Sequence, residues 1–151
     1  ALFIVNDRAD IAVAAGAHGL HVGQGDMPAR EARALLRPGM VLGVSTHDED
    51  QAGAAVTAGA DYVAVGSIFP TTSRVDFQLV GTDLIRRVRP AVPVPLVAIG
   101  GITADNAAEV VQAGADGVAV ISAICANRNP EAATRTLLER LRAAWGPRPA
   151  P

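Results

Sequence analysis

The sequence predicts an α/β fold of the TIM (β/α)8 barrel family, with about six of the eight βα units carried by this chain. Three observations predict it. One segment occurs three times: Ala15-Gly16-Ala17-His18-Gly19-Leu20-His21-Val22, Ala58-Gly59-Ala60-Asp61-Tyr62-Val63-Ala64-Val65 and Ala113-Gly114-Ala115-Asp116-Gly117-Val118-Ala119-Val120. Each copy reads as an Ala/Val-rich helix ending, a left-handed glycine cap and a short apolar strand beginning. Six apolar runs lack strict in-out alternation, as expected of parallel strands buried on both faces. Strand and helix alternate at roughly 25 residues per unit, close to one βα unit of an eightfold barrel. A six-stranded open doubly wound sheet is the alternative.

The elements follow in order. Strands are expected at Leu2–Val5, Gly19–Val22, Val41–Val44, Tyr62–Val65, Pro95–Ile99 and Gly117–Val120. The first opens the chain with only Ala1 ahead of it, so the simplest account places about two βα units before it. Pro28 starts a helix that runs to Leu36 and is stopped by Arg37-Pro38-Gly39. Asp48 starts the next, which ends near Ala58. Thr82–Arg89 is short and is stopped by Pro90. Thr103 is expected to cap Ala104–Ala113, and Pro130–Ala144 forms an amphipathic last helix. Residues 1–145 are therefore read as one partial barrel, and 146–151, rich in proline, as a disordered tail.

Composition excludes several functions. All 13 basic residues are arginine, so no lysine is present to form a Schiff base. Net charge is −2 and aromatics make up 3 %, which argues against a phosphate-backbone footprint or a base-stacking platform. Neither nucleic acid nor membrane is an expected partner, because no apolar run approaches the ~18 residues of a span. The single Cys125 excludes an internal disulfide and suits a reducing, cytoplasmic setting. It reads as a small buried hydrophobe.

In such barrels the working groups lie at the C-terminal strand ends. There stand Asn6-Asp7-Arg8, Gly23-Gln24-Gly25-Asp26, Ser45-Thr46-His47, a long loop from Gly66 to Val80, Gly100-Gly101-Ile102 and Ile121-Ser122. Asp7 and Asp26 at neighbouring mouths suit a magnesium ion, which takes one or two carboxylates and completes its shell with phosphate and water. Alternatively, Asp7 pairs with a nearby arginine and Asp26 caps the helix at Pro28. Gly100-Gly101 and Ile121-Ser122 occupy the usual phosphate position after the last two strands, where glycine lets backbone approach an anion; a plain glycine turn is the alternative. Thr71, Thr72, Ser73 and Arg74 could hold a second anion or close as a lid. His47 is a candidate acid or base without a visible triad partner, His18 reads as structural, and a barrel-facing His21 stays open.

These residues resemble the thiamine-phosphate synthase family. The resemblance rests on Phe3-Ile4-Val5-Asn6-Asp7-Arg8, His21-Val22-Gly23-Gln24-Gly25-Asp26-Met27, Gly43-Val44-Ser45-Thr46-His47, Val65-Gly66-Ser67-Ile68-Phe69-Pro70-Thr71, Val97-Ala98-Ile99-Gly100-Gly101-Ile102 and Val118-Ala119-Val120-Ile121-Ser122-Ala123-Ile124. It implies a (β/α)8 barrel that joins a pyrimidine diphosphate to a thiazole phosphate, releasing pyrophosphate. By that likeness Asp7 and Asp26 bind Mg²⁺, and Asn6 and Ser45 contact the pyrimidine diphosphate. Thr71, Thr72 and Ser73 lie against the thiazole, and Gly101, Ile121 and Ser122 hold its phosphate. Arg74 stands where the family usually has a lysine on the diphosphate; with Ser45 it is the implied catalytic pair. A Gln-x-Arg-x-Lys strand motif of the family, on a strand before the first of this chain, is absent. The partners implied are the two small-molecule substrates, with a homo-oligomer left open. Two rival readings are a thiazole tautomerase on the same barrel and a non-catalytic remnant that binds thiazole phosphate.

Overall fold

The computed structural model of the protein describes residues 1–71 and 78–146. Strands β1 (Ile4–Asn6), β2 (Gly19–Val22), β3 (Val41–Thr46), β4 (Tyr62–Val65), β5 (Leu96–Ile99) and β6 (Gly117–Ala119) alternate with helices. These are α1 (Ala9–Ala14), α2 (Ala29–Leu35), α3 (Glu49–Thr57), α4 (Gly81–Val88) and α5 (Ala107–Gln112). The short α6 (Ser122–Cys125) and the long α7 (Pro130–Trp145) follow β6. All five pairings are parallel, and the spatial order is β1-β2-β3-β4-β5-β6. A doubly wound sheet reverses its order at a switch point. This one never does, and right-handed crossovers then carry every helix to the same side. The architecture is an arc of a TIM-like barrel, and the doubly wound alternative is excluded.

The helix-facing layer is the apolar core. Leu20 is in register with Leu42, and Val63 with Leu96; all four are fully buried. Each such side chain contributes about 1.5–3 kcal/mol relative to exposure. Alternate positions point to the other face, so His21, Gly43 and Tyr62 share one level across β2, β3 and β4.

Local capping chemistry sets the helix starts. Asp48 accepts from the Gln51 N–H at 2.7 Å, and the Gln51 side chain accepts from the His47 N–H at 2.8 Å. This reciprocal pair opens α3 as expected. Thr103 does not cap a helix from Ala104. Asn106 Oδ1 accepts the Thr103 N–H at 2.8 Å while its Nδ2 donates to the Gly101 carbonyl at 3.0 Å, so these residues form a turn and α5 begins only at Ala107. Cys125 is exposed rather than buried, because the four-residue α6 packs only one side against α7.

The threefold repeat has a physical purpose at the foot of the sheet. The backbone N–H groups of His18, Asp61 and Asp116 donate to the carbonyls of Phe3, Leu42 and Leu96 at 2.9, 2.8 and 2.8 Å. Their side chains accept the N–H of those same residues, at 2.9, 2.7 and 2.8 Å. Each repeat thereby bolts an even strand to the odd strand before it. In the second and third copies an arginine completes the bolt. Arg33 donates to Asp61 at 2.8 Å and to the Met40 carbonyl at 2.8 Å; Arg89 donates to Asp116 at 2.5 Å and to the Val92 and Val94 carbonyls. The arginine stems run across Gly59 and Gly114, where a Cβ would sit 3.3 Å from them. No such atom lies over Gly16 in the first copy. His18 is thus structural, as its position suggests.

Candidate active site

The C-terminal ends of β3, β4, β5 and β6 open onto one cavity of about 180 Å³. Ser45 and His47 enter it from the end of β3. Gly66, Ser67 and Thr71 come from the segment after β4, Gly100, Gly101 and Ile102 from the turn after β5, and Ile121 and Ser122 from the β6–α6 junction. Five expected site residues are therefore brought together: Ser45, Thr71, Gly101, Ile121 and Ser122. Thr72, Ser73 and Arg74 lie outside the described residues. Asn6, Asp7 and Asp26 stand at the mouths of β1 and β2 and do not line this cavity.

The glycine turn after β5 has a reason beyond an anion. Gly101 has φ +64°, and a Cβ there would sit 2.3 Å from the Pro70 carbonyl oxygen and 2.8 Å from the Phe69 Cβ. At Gly100 it would sit 2.0 Å from Ser67 Oγ. Both missing side chains would strike the 67–70 segment. Packing against that segment by itself requires glycine at both positions, in addition to any approach to a phosphate.

His21, left open as a barrel-facing residue, does face the barrel interior, and it meets Tyr62, which sequence reasoning left aside. His21 Nε2 lies 2.8 Å from Ser45 Oγ, and His21 Nδ1 lies 2.8 Å from Tyr62 Oη. The two rings stack at 5.4 Å between centroids, with 30° between their planes. They meet over Gly43, where a Cβ would fall 2.1 Å from Tyr62 Cζ and 2.4 Å from His21 Nδ1. Burial lowers the His21 pKa, with the Asp26 charge opposing by a smaller amount, and burial raises that of Tyr62. Burial thus favours the neutral imidazole and the protonated phenol. The available signal was two polar residues in apolar strands, in register on either side of a glycine.

His47 has its own anchor. Its Nδ1 donates to the Gly66 carbonyl at 2.6 Å, because a carbonyl oxygen can only accept. At the other end of the arc, Asp7 adopts φ 65° directly after β1 and donates its N–H to the His21 carbonyl at 2.8 Å. Asn6 Nδ2 donates to Asp7 Oδ1 at 2.6 Å. Arg8 pairs with Asp10 at 2.5 Å. Asp26 Oδ2 accepts the Gly23 N–H at 2.7 Å instead of capping α2, whose first turn has no side-chain cap. Among the described residues no three His, Cys, Asp or Glu side chains cluster as a metal cage. A two-carboxylate set at neighbouring strand mouths fits magnesium, which takes its remaining oxygens from water and phosphate.

Comparison with known proteins agrees with this geometry. The family model described as thiamine monophosphate synthase matches residues 1–124. The thiamine-phosphate synthase of Geobacillus kaustophilus is 53 % identical over 144 residues, covering 94 % of this chain and 65 % of the relative. That of Moorella thermoacetica is 52 % identical over 147 residues, covering 97 % and 70 %. The structure of thiamine phosphate pyrophosphorylase from Pyrococcus furiosus superposes with a TM-score of 0.87 at 40 % identity, over 97 % of this chain and 70 % of that one. The chain thus spans about two thirds of the length of these relatives. Among the described residues no helix is long and apolar enough to cross a membrane.

Proposed function

The chain belongs to the thiamine monophosphate synthase family, and from that premise we propose that it condenses a pyrimidine-methyl diphosphate with a thiazole phosphate to give thiamine phosphate and pyrophosphate. The observation that carries the reading is the single cavity in which Ser45, Thr71, Gly101, Ile121 and Ser122 converge from four strand ends. In this reading the carbon–oxygen bond between the pyrimidine methylene and the diphosphate breaks, and its electron pair leaves with pyrophosphate. The thiazole nitrogen then supplies the lone pair that forms the new carbon–nitrogen bond. No enzyme nucleophile takes part, so the residues act by placing anions and holding charge where it develops.

The roles divide along the arc. Gly101, Ile121 and Ser122 hold the thiazole phosphate, with Thr71, Thr72 and Ser73 against the thiazole. Ser45 and Asn6 hold the pyrimidine diphosphate together with Arg74, whose planar fork replaces the point charge of a lysine. Asp7 and Asp26 hold Mg²⁺, which when bound neutralises charge on the departing pyrophosphate. Closure of the arc into an eight-unit barrel, a homo-oligomer and a cytoplasmic location, the last supported by the lone Cys125, belong to the same proposal. The test is to incubate the protein with both substrates and magnesium and follow thiamine phosphate and pyrophosphate by chromatography. Equimolar release of both supports the reading; consumption of neither substrate overturns it.

A further inference from the structure

We propose that Gln24 and His47 are positioning residues: their side chains take the place of the last backbone rung between β2 and β3 and between β3 and β4, and so hold Ser45 and the 66–71 wall of the cavity in place. The proposal rests on the reading above only for which substrate each part of the site receives.

Along a parallel strand, the backbone N–H and C=O groups face one neighbour and then the other at alternate residues. Val41 donates to the His18 carbonyl at the foot of β2, so Gly43 and Ser45, at alternate positions after it, face β2 as well. With Val22 in register with Val44, the backbone donor due next on the Ser45 carbonyl is the Gln24 N–H. The chain has by then left the sheet, and Gly23 N–H turns to Asp26 Oδ2 at 2.7 Å. The Gln24 side chain supplies the rung instead, with Nε2 donating to the Ser45 carbonyl at 2.7 Å.

The same replacement recurs one strand later. Gly66 donates to the Thr46 carbonyl at 3.4 Å, so the donor due next on the Gly66 carbonyl is the Asp48 N–H. Asp48 instead opens α3, and the His47 ring donates from Nδ1 to the Gly66 carbonyl at 2.6 Å. That N–H is present in the imidazolium as well as in the neutral ring, so the rung does not depend on the charge of His47. At the flanking exits the backbone itself closes the rung. Asp7 N–H reaches the His21 carbonyl at 2.8 Å, and Ile68 N–H reaches the Ile99 carbonyl at 3.0 Å. All four bonds run the same way, from one strand exit to the carbonyl of the next.

A strand that closes its ladder with a side chain leaves its backbone free to turn. After β2 that freedom lets Asp26 fold back to Gly23, and after β3 it lets Asp48 and Gln51 cap α3. The exits stay tied all the same. Gln24 ties Ser45; His47 ties the segment that carries Ser67 and Thr71 and against which Gly100 and Gly101 pack. Gln24 is exposed and His47 half-buried, so water replaces a lost donor and the fold survives. What is lost is the placement of the tied groups.

Gln24→Met and His47→Phe remove the donors and keep the bulk. In hydrogen-exchange mass spectrometry of the protein alone, exchange should quicken across 45–48 in the first and across 66–71 in the second; unchanged exchange overturns the proposal. The Tm of each should stay within about 3 °C of the native value, and a fall beyond about 5 °C, more than a local adjustment gives, makes the role structural and overturns it as well. Calorimetric titration with magnesium pyrophosphate and with thiazole phosphate reads the consequence. Gln24→Met should weaken pyrophosphate binding about tenfold, well inside the roughly hundredfold that about 1 Å of misplacement can cost, and leave thiazole phosphate as it was. His47→Phe should weaken thiazole phosphate by a similar factor. A Gln24→Met loss shared by both ligands, or an unaltered affinity where a loss is expected, overturns the assignment. Rescue separates tying from direct contact. Asparagine Nδ2 stands as many bonds from Cα as histidine Nδ1, and histidine Nε2 as many as glutamine Nε2. His47→Asn and Gln24→His should therefore restore exchange and binding. Failure of His47→Asn to restore binding means that the far side of the ring touches substrate, and overturns positioning. Binding of neither ligand by the native protein refutes the proposed reaction, while the exchange measurements still decide this inference.

Discussion

Replacing Asp61 separates the two functions of the bolt between β3 and β4. Its carboxylate accepts both the Leu42 N–H at 2.7 Å and Arg33 at 2.8 Å. Leu42 is fully buried, and its N–H loses its side-chain acceptor when the carboxylate is removed. Leaving that donor unpaired costs about 1–3 kcal/mol. The Arg33–Asp61 pair is roughly a third to a half exposed and adds about 0–1 kcal/mol. Asp61→Ala should therefore destabilise by about 2–3 kcal/mol, which for a chain of this length lowers Tm by roughly 5–10 °C. Asp61→Asn keeps an oxygen for the Leu42 N–H and should lose less than about 1 kcal/mol. Calorimetry or circular dichroism melts of the two variants, in low and high salt, decide the matter. Equal losses for Ala and Asn would refute the reasoning, because the charge and not the backbone acceptor would then hold the strands. Recovery of the alanine variant in high salt would refute it as well.

Other outcomes follow from the same geometry. Gly43→Ala drives a methyl between the Tyr62 and His21 rings and should cost about 1–3 kcal/mol as overpacking; crystallography should show the two rings parted, and an unmoved pair would contradict the contact. Gly101→Ala adds left-handed strain to a clash with Pro70 and Phe69, so besides loosening the thiazole phosphate it should weaken binding of the diphosphate through displacement of the 67–70 segment; loss confined to the thiazole phosphate would show that the glycine acts on that anion alone. Asp26→Asn keeps an acceptor for the Gly23 N–H while removing the charge, so the magnesium needed for half-maximal activity should rise with Tm unchanged; an unaltered magnesium dependence removes Asp26 from the metal site. His18→Asp should fold with near-normal stability, because aspartate already accepts the equivalent N–H at Asp61 and Asp116; a loss above about 2 kcal/mol would show that the three repeats are not interchangeable.

Local sequence determined the elements and their order. The Ala-Gly-Ala repeat marks where each even strand begins, and Asp48 with Gln51 marks the start of α3, because caps and apolar periodicity act within a few residues. The placement of Ser45, Gly101, Ile121 and Ser122 at strand ends was legible for the same reason: in a parallel barrel the C-terminal ends collect on one face. What meets what across the sheet was not legible. His21 reaches Ser45 from 24 positions away and Tyr62 from 41, and only strand register brings His21 and Tyr62 to the level of Gly43, two residues short of Ser45. The same holds for Gly100 and Gly101, whose turn could be foreseen but whose neighbours at 67–70 come from the far side of α4. Asp26 shows the opposite failure, in which a residue suited to cap the next helix turns back to Gly23 because the chain needs that N–H satisfied first. Periodicity along one strand carries no information about register between strands; that is decided when the buried faces pack, and the hydrogen-bonded pairing of Tyr62, His21 and Ser45 is a product of that packing.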